Sequence, residues 1–213
     1  MSLSEIERAF AVESFTAAGP DAPTLCSGWR SRHLLAHLVL RDQKPLAIAR
    51  DVIARKPPGE EPVLGRVAEE ASTPEGYLAL AERFSAGPSR VNPVAWLGDR
   101  ANLVEYVVHH EDLRRGAGLG PAPARSAETL DALWRNLQPM ARMIMRRSPV
   151  GVVLVVPGGP RAVVRRGPDT VAIVGDPVEL ALYLLGRTKA ADVRFEGVAE
   201  TVARLRMAHE KTD

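Results

Sequence analysis

The chain has 213 residues, of which 46% are hydrophobic and 25% charged, a composition that excludes a disordered protein. Its 28 basic and 26 acidic residues nearly cancel, so we expect neither a nucleic acid nor an anionic membrane as a partner. A single cysteine excludes an intrachain disulfide and fits a reducing compartment. Because the sequence shows neither a signal-peptide core nor an apolar run long enough to span a bilayer, we expect a cytoplasmic location.

The first half of the chain carries apolar residues at helical spacing. Ser2 and Glu5 have the spacing of a capping box, which predicts a first helix to about Ala18. Further helices are predicted from Ser31, from Thr73 to about Ser85, and from about Asp99 to Arg115. Four helices in this order predict an antiparallel bundle.

The second half follows a stretch rich in glycine and proline at residues 116–125, which is the best linker candidate in the chain. A helix is predicted from Ser126 to about Arg147, and another from Asp176 to Gly186. The predicted strands are Val150–Val156, Ala162–Arg165, Val171–Val174 and Asp192–Glu196, and a closing helix is predicted over Val198–Met207. We therefore predict an α+β protein, with a four-helix bundle over residues 1–118 and a small α+β domain over residues 119–213.

Glu105 and His109 are candidate metal ligands on the fourth predicted helix. They stand four residues apart, so their side chains lie one turn apart on the same face. An antiparallel bundle would bring His37 of the second helix beside them, and two imidazoles with one carboxylate form the donor set of many catalytic zinc sites. Taken alone, the spacing is also that of an exposed Glu–His pair, and a lone histidine such as His37 is more often a core residue.

Neighbouring residues have more than one interpretation. Asp112 follows His109 by three residues, so it could accept the second N–H of that imidazole or form an ion pair with Arg115. Cys26 is interpreted as a half-buried loop residue, with metal ligation or redox chemistry as the alternative. His110 points about 100° away from His109, which favours a packing role or a place beside the site over metal ligation.

Two stretches of the chain resemble the signature of the DinB/mycothiol-dependent maleylpyruvate isomerase superfamily. The first consists of Pro23–Trp29, with the sequence PTLCSGW, and His33–Leu38, with the sequence HLLAHL. The second is Asn102–Asp112, in which a glutamate and a histidine in the pattern E-x₃-H precede an acid three residues on. Asp176–Arg187 is similar to part of the C-terminal domain of the family, so the likeness covers nearly the whole chain. It is closest to an actinobacterial subgroup known mainly as uncharacterised metal-binding proteins.

The resemblance implies a DinB-like bundle in which His37, Glu105 and His109 bind a divalent metal, zinc in the first instance and nickel as the alternative. It implies an isomerase or thiol transferase that depends on mycothiol, with this low-molecular-weight thiol and an electrophilic small molecule as partners. It favours Arg187 as a catalytic residue that holds a carboxylate, whereas the helix dipole alone would also explain an arginine at that helix end. The functional alternatives are a non-catalytic metal-binding or regulatory module and a scaffold without metal.

Overall fold

The computed structural model describes residues 1–46, 48, 51, 56–89, 92 and 98–210. The chain divides into two compact units, Met1–Ala124 and Arg125–Asp213. The first unit is helical, and the second combines helices with a small sheet, so the predicted fold class is confirmed. Within the described residues, no helix combines the length and the apolar character that crossing a membrane requires.

The described part of the first unit contains five helices. They are α1 (Leu3–Ala18), α2 (Ser31–Gln43), α3 (Pro62–Glu70), α4 (Pro74–Ser85) and α5 (Asp99–Gly116). The predicted capping box is present at the start of α1, where the Ser2 side chain accepts from the backbone N–H of Glu5. The Thr73 side chain likewise accepts from the N–H of Gly76 at the start of α4. The four predicted helices are therefore confirmed.

Helix α3 was not predicted from the sequence. It is only nine residues long and lies just beyond the Pro57-Pro58-Gly59 break, so it was hidden within a segment that reads as a loop. The sequence features that indicate this helix are the proline at its first position and apolar residues at helical spacing. These apolar residues, all buried, are Leu64, Val67 and Ala68.

The core of the first unit holds α2 and α5 in place. Helix α1 packs along α5 and against α4, while α2 packs against α3 and α4 and also contacts α5. Aromatic rings connect these helices, because Phe84 of α4 makes edge-on contacts with Phe15 of α1 at 6.2 Å and with Tyr106 of α5 at 5.5 Å between ring centroids. All three rings are fully buried, and each contributes about 1.5–3 kcal/mol through burial of apolar surface.

The second unit contains three helices and four strands among its described residues. They are α6 (Ala127–Ile144), β1 (Gly151–Val155), β2 (Arg161–Arg165), β3 (Thr170–Val174), α7 (Pro177–Leu184), β4 (Arg194–Glu196) and α8 (Ala199–His209). The sheet has the order β2-β1-β3-β4, in which β1 and β3 are parallel and the two outer pairs are antiparallel. Gly158 has a φ of 67° in the turn between β1 and β2, a conformation that favours glycine. The four predicted strands are all present.

Candidate metal centre

Three side chains from two helices meet around one carboxylate oxygen. Oε1 of Glu105 on α5 lies 3.2 Å from Nε2 of His37 on α2. The same oxygen lies 3.3 Å from Nε2 of His109, one turn further along α5. The structure therefore brings together the three residues that the sequence analysis selected as metal ligands, with their donor atoms within 4.8 Å of one another.

The burial pattern of the two helices explains this placement. On α2, Leu34, Leu35 and Leu38 are fully buried, which leaves His37 at the edge of the core with its side chain 19% exposed. On α5, Glu105 is 31% exposed and His109 is 12% exposed. The three donors thus lie where the core meets solvent.

The spacing of the donor atoms fits a divalent ion. Zinc with bonds of about 2.0–2.1 Å to nitrogen and oxygen in tetrahedral geometry requires neighbouring donors about 3.3 Å apart. The two distances from Oε1 of Glu105 match this requirement. Two neutral imidazoles and a carboxylate also suit zinc and nickel chemically.

Electrostatics set the charge on each of the three donors. Burial raises the pKa of Glu105, but hydrogen bonds with His109 and His37 and the positive charge of Arg41 outweigh burial and hold that pKa well below its ordinary value. Burial lowers the pKa of His37, and its hydrogen bond to Glu105 offsets this only in part. Burial also acts to lower the pKa of His109, but its hydrogen-bonded partners, Asp112 foremost, raise it well above the ordinary value. At neutral pH, these directions favour an ionised Glu105, a neutral His37 and a protonated His109 in the absence of an ion.

Asp112 is the partner of the second nitrogen of His109. Its side chain is fully buried, and its Oδ2 lies 2.8 Å from Nδ1 of His109. When Nδ1–H donates to this carboxylate, the lone pair of the neutral ring is on Nε2, the atom that faces Glu105. Of the two interpretations of Asp112, the structure supports contact with the imidazole, while Nε of Arg115 donates to Glu111 at 2.8 Å.

Three further residues surround the donors and were not assigned to the site from sequence. Nε of Arg41 lies 3.4 Å from Oε1 of Glu105, and its position four residues after His37 was the available signal. The Trp29 ring lies 5.3 Å from the His37 ring, between centroids. Sγ of Cys26 lies 3.2 Å from Oδ2 of Asp112. Cys26 and Trp29 both belong to the Pro23–Trp29 stretch that resembles the family, and metal ligation was the alternative interpretation of Cys26. Their contacts at the site could not be predicted, because the position of this loop depends on tertiary packing.

The other histidines of the first unit have structural partners. His110 is fully buried, with Nδ1 at 2.8 Å from Oε1 of Glu7 and Nε2 at 2.8 Å from Oγ of Ser14. It therefore joins α5 to α1, as expected for a packing residue. Nδ1 of His33 accepts from the backbone N–H of Arg30 at the start of α2.

Arg187 lies in the second unit, just beyond the end of α7. Its backbone N–H donates to the carbonyl of Leu182 at 2.9 Å, and its Nη1 donates to the carbonyl of Leu185 at 2.6 Å. These contacts satisfy carbonyl groups at the helix end, where a positive charge also interacts favourably with the helix dipole.

Comparisons with known proteins agree with this fold. Residues 5–114 match the model of the mycothiol maleylpyruvate isomerase N-terminal domain, and this segment contains all three candidate ligands. Two solved structures of the mycothiol-dependent maleylpyruvate isomerase, one of them a histidine-to-alanine mutant, share the fold at TM-scores of 0.55 and 0.53. Each is 18% identical in sequence, and each alignment covers 91% of this chain and 90% of the other. A comparison with curated protein sequences finds no significant match. The family model covers more than half of the chain, which therefore belongs to the family defined by the mycothiol maleylpyruvate isomerase N-terminal domain.

Proposed function

We propose that the protein binds a divalent metal, zinc in the first instance and nickel as the alternative, through His37, Glu105 and His109. The observation that carries this proposal is the position of Oε1 of Glu105, at 3.2 and 3.3 Å from two imidazole nitrogens of different helices. A fortuitous Glu–His pair within one helix would not require the second histidine. All three side chains are partly exposed, as a site that takes a further ligand requires.

We further propose that the protein is a thiol-dependent isomerase or thiol transferase, with mycothiol as the low-molecular-weight thiol. A divalent ion at this triad would lower the pKa of a thiol bound to it and so supply a thiolate nucleophile for an electrophilic substrate. Glu105 contributes the negative charge that holds the cation, and Asp112 orients His109. Membership of the isomerase family supports the thiol and the reaction type, whereas the donor geometry supports only the metal.

Arg187 is proposed to bind a carboxylate of the substrate or of the thiol. A guanidinium offers two parallel N–H donors that match the two oxygens of a carboxylate. The support for this role is its position in the Leu184-Leu185-Gly186-Arg187 segment that resembles the family. Substitution of Arg187 by lysine keeps the charge but loses the paired donors, so turnover should fall while metal content stays unchanged.

Metal content tests the first proposal. Protein purified without an affinity tag should retain about one zinc or nickel ion per chain, measured by mass spectrometry of the metal, and His37→Ala should abolish this. His33→Ala is the matched control, because it removes a histidine from the same helix that lies outside the triad. Equal metal content in His37→Ala and wild type would exclude the assigned site.

Thiol response tests the second proposal and separates it from a non-catalytic metal-binding module. In the cobalt-substituted protein, mycothiol should change the visible spectrum, because its sulfur would bind the ion. The same addition to His37→Ala should have no effect. A metal-loaded protein whose spectrum and calorimetric signal do not respond to mycothiol would support the non-catalytic alternative.

A further inference from the structure

The loop that precedes α2 is attached to the C-terminal part of α5. The backbone N–H of Leu25 donates to the carbonyl of Asp112 at 2.9 Å. Gly116 of α5 lies so close to the loop that a Cβ atom there would be only 2.4 Å from Cα of Thr24. Thr24 in turn holds the loop together, since its hydroxyl accepts from the N–H of Cys26 and donates to the carbonyl of Trp29. These contacts set the position of Cys26 relative to α5.

The thiol of Cys26 shares an acceptor with His109. Its Sγ lies 3.2 Å from Oδ2 of Asp112, the oxygen that lies 2.8 Å from Nδ1 of His109. The Asp112 side chain is fully buried, and a buried carboxylate is costly unless donors surround it. The S–H group of Cys26 is one such donor.

The distances favour an indirect role for Cys26 over metal ligation. A second group of potential ligands consists of Cys26, His109 and Asp112. In this group, the His109 atom that faces Asp112 is Nδ1. The 2.8 Å separation between Nδ1 and Oδ2 is that of an N–H···O hydrogen bond, and it is shorter than the roughly 3.3 Å between donors that share a tetrahedral ion. The two ring nitrogens therefore face two different groups, of which only the one at Nε2 has the spacing of a metal site.

We infer that Cys26 is a positioning residue of the metal centre, which acts through Asp112 to fix the orientation of the His109 ring. The inference rests on the proposed metal site at His37, Glu105 and His109. Hydrogen-bond partners of metal ligands commonly contribute about 10–100-fold to metal affinity. Because a thiol is a weaker hydrogen-bonding group than the Asp112 carboxylate, removal of Cys26 should weaken affinity by about three- to tenfold, less than removal of that carboxylate.

Cobalt binding to four proteins tests this inference. Wild type, Cys26→Ala, Cys26→Ser and Ser27→Ala are titrated with Co²⁺ and followed by visible spectroscopy. Cys26→Ala should bind Co²⁺ about three- to tenfold more weakly, whereas Cys26→Ser, which keeps a donor, should bind within about twofold of wild type. Ser27→Ala changes an exposed neighbour in the same loop and should match wild type. The wild-type spectrum should lack a sulfur-to-cobalt charge-transfer band.

Three outcomes would overturn the inference. A charge-transfer band in wild type that Cys26→Ala abolishes would make Cys26 a direct ligand. Equal affinity of wild type and Cys26→Ala would leave the thiol without a role at the site. Equal weakening in Cys26→Ala and Cys26→Ser would show that packing of the sulfur, not donation of a hydrogen bond, is what matters. If Cys26→Ala does not fold, a charge-transfer band in wild type, or a loss of affinity well beyond about twofold in Cys26→Ser, would still overturn the inference.

Failure of this inference can be distinguished from failure of the proposed function. Wild-type protein that does not bind Co²⁺, or that binds it independently of His37, would contradict the metal site itself. Wild-type protein whose binding requires His37 but does not respond to Cys26→Ala would contradict only the role of Cys26.

Discussion

Oδ2 of Asp112 lies 2.8 Å from Nδ1 of His109, and the Asp112 side chain is out of contact with solvent. The carboxylate comes from the same helix, three residues further along, so the backbone of α5 itself sets the distance. The consequence is chemical: the proton of the neutral imidazole stays on Nδ1, and the lone pair stays on Nε2, the nitrogen that faces Glu105. The geometry of α5 thus keeps Nε2 of His109 available to bind a cation.

The Asp112→Asn variant tests whether this contact supports His109 as a metal ligand. The amide keeps an acceptor oxygen but removes the charge and introduces N–H donors that compete with Nδ1–H. Zinc affinity, measured by competition with a chromophoric chelator, should fall about 10–100-fold. Asp131→Asn, an exposed substitution in the second unit, serves as the control and should leave affinity unchanged. Unchanged affinity in Asp112→Asn would show that the contact does not support a ligand.

Metal binding should release a proton at neutral pH. His109 is the source, because its pKa is raised well above its ordinary value, while Glu105 is already ionised and His37 is already neutral. Calorimetric titrations in buffers with different ionisation enthalpies should report about one proton released per ion at pH 7. His109→Ala should release none.

The same pKa values predict how affinity depends on pH. From an ordinary histidine one expects affinity to fall as pH drops through about 6.5. The raised pKa of His109 moves the onset of this fall to higher pH, and the lowered pKa of His37 adds a second loss at lower pH. Affinity that is equal at pH 8 and pH 5 would exclude histidine ligation.

Glu105→Gln separates the metal site from a chance helical pair. The change keeps the size of the side chain but removes its charge, so metal affinity should fall at least about tenfold. In the absence of metal, the free energy of unfolding should change by at most about 1 kcal/mol, because the ion pairs of Glu105 are partly exposed to solvent. Glu82→Gln, on the exposed side of α4, is the matched control. Equal loss of stability with and without metal would indicate a packing role.

The elements that could be predicted from sequence are those with local signals. Ser2, Thr73 and Asp176 each cap a helix within the predicted boundary, because a cap needs only side chains a few residues away. Helix α3 escaped prediction because it is short and follows a proline-rich turn. Arg187 lies just beyond the end of α7, close to where the local pattern predicts the helix end. Its proposed contact with a carboxylate depends on partners that no local pattern contains.

The candidate site also contains residues that local sequence patterns predict and residues that they do not. Glu105 and His109 are neighbours by helix periodicity, and Asp112 lies on a similar face, about one turn further along the helix, for the same reason. Cys26 is 86 residues from Asp112, and its contact depends on the close approach of Thr24 to Gly116, which periodicity does not contain. Helix periodicity and the family resemblance therefore identified the three candidate ligands, but neither could predict the contact of Cys26 with Asp112.

His110→Ala should reduce stability without affecting metal binding. The imidazole is fully buried and contacts Glu7 and Ser14 of α1, so its removal deprives the buried Glu7 and the half-buried Ser14 of a partner and leaves a cavity. We expect the free energy of unfolding to fall by about 2–4 kcal/mol. Metal content per folded chain should stay at the wild-type value, because the ring points towards α1. A variant that folds normally but loses metal would show that His110 belongs to the site.

Gly116→Ala probes the contact between loop and helix. In an ordinary helix this change would stabilise the protein by up to about 1 kcal/mol, because alanine favours the helix. Here the added Cβ would lie 2.4 Å from Cα of Thr24, so loop or helix must move. We expect a loss of about 1–3 kcal/mol in the free energy of unfolding, the range for overpacking. Gly120→Ala, where a Cβ meets nothing within 4 Å, is the control and should have little effect.

The same variant connects the loop with the metal centre. Thr24 and Cys26 belong to the same turn, which the Thr24 hydroxyl holds together. A displacement of Thr24 would therefore move Cys26 away from Asp112. Metal affinity of Gly116→Ala should therefore fall to about the value of Cys26→Ala, and the double variant should be no weaker than either single one, since both remove the same contact. Additive losses in the double variant would mean that the loop acts on the site by a route other than the thiol.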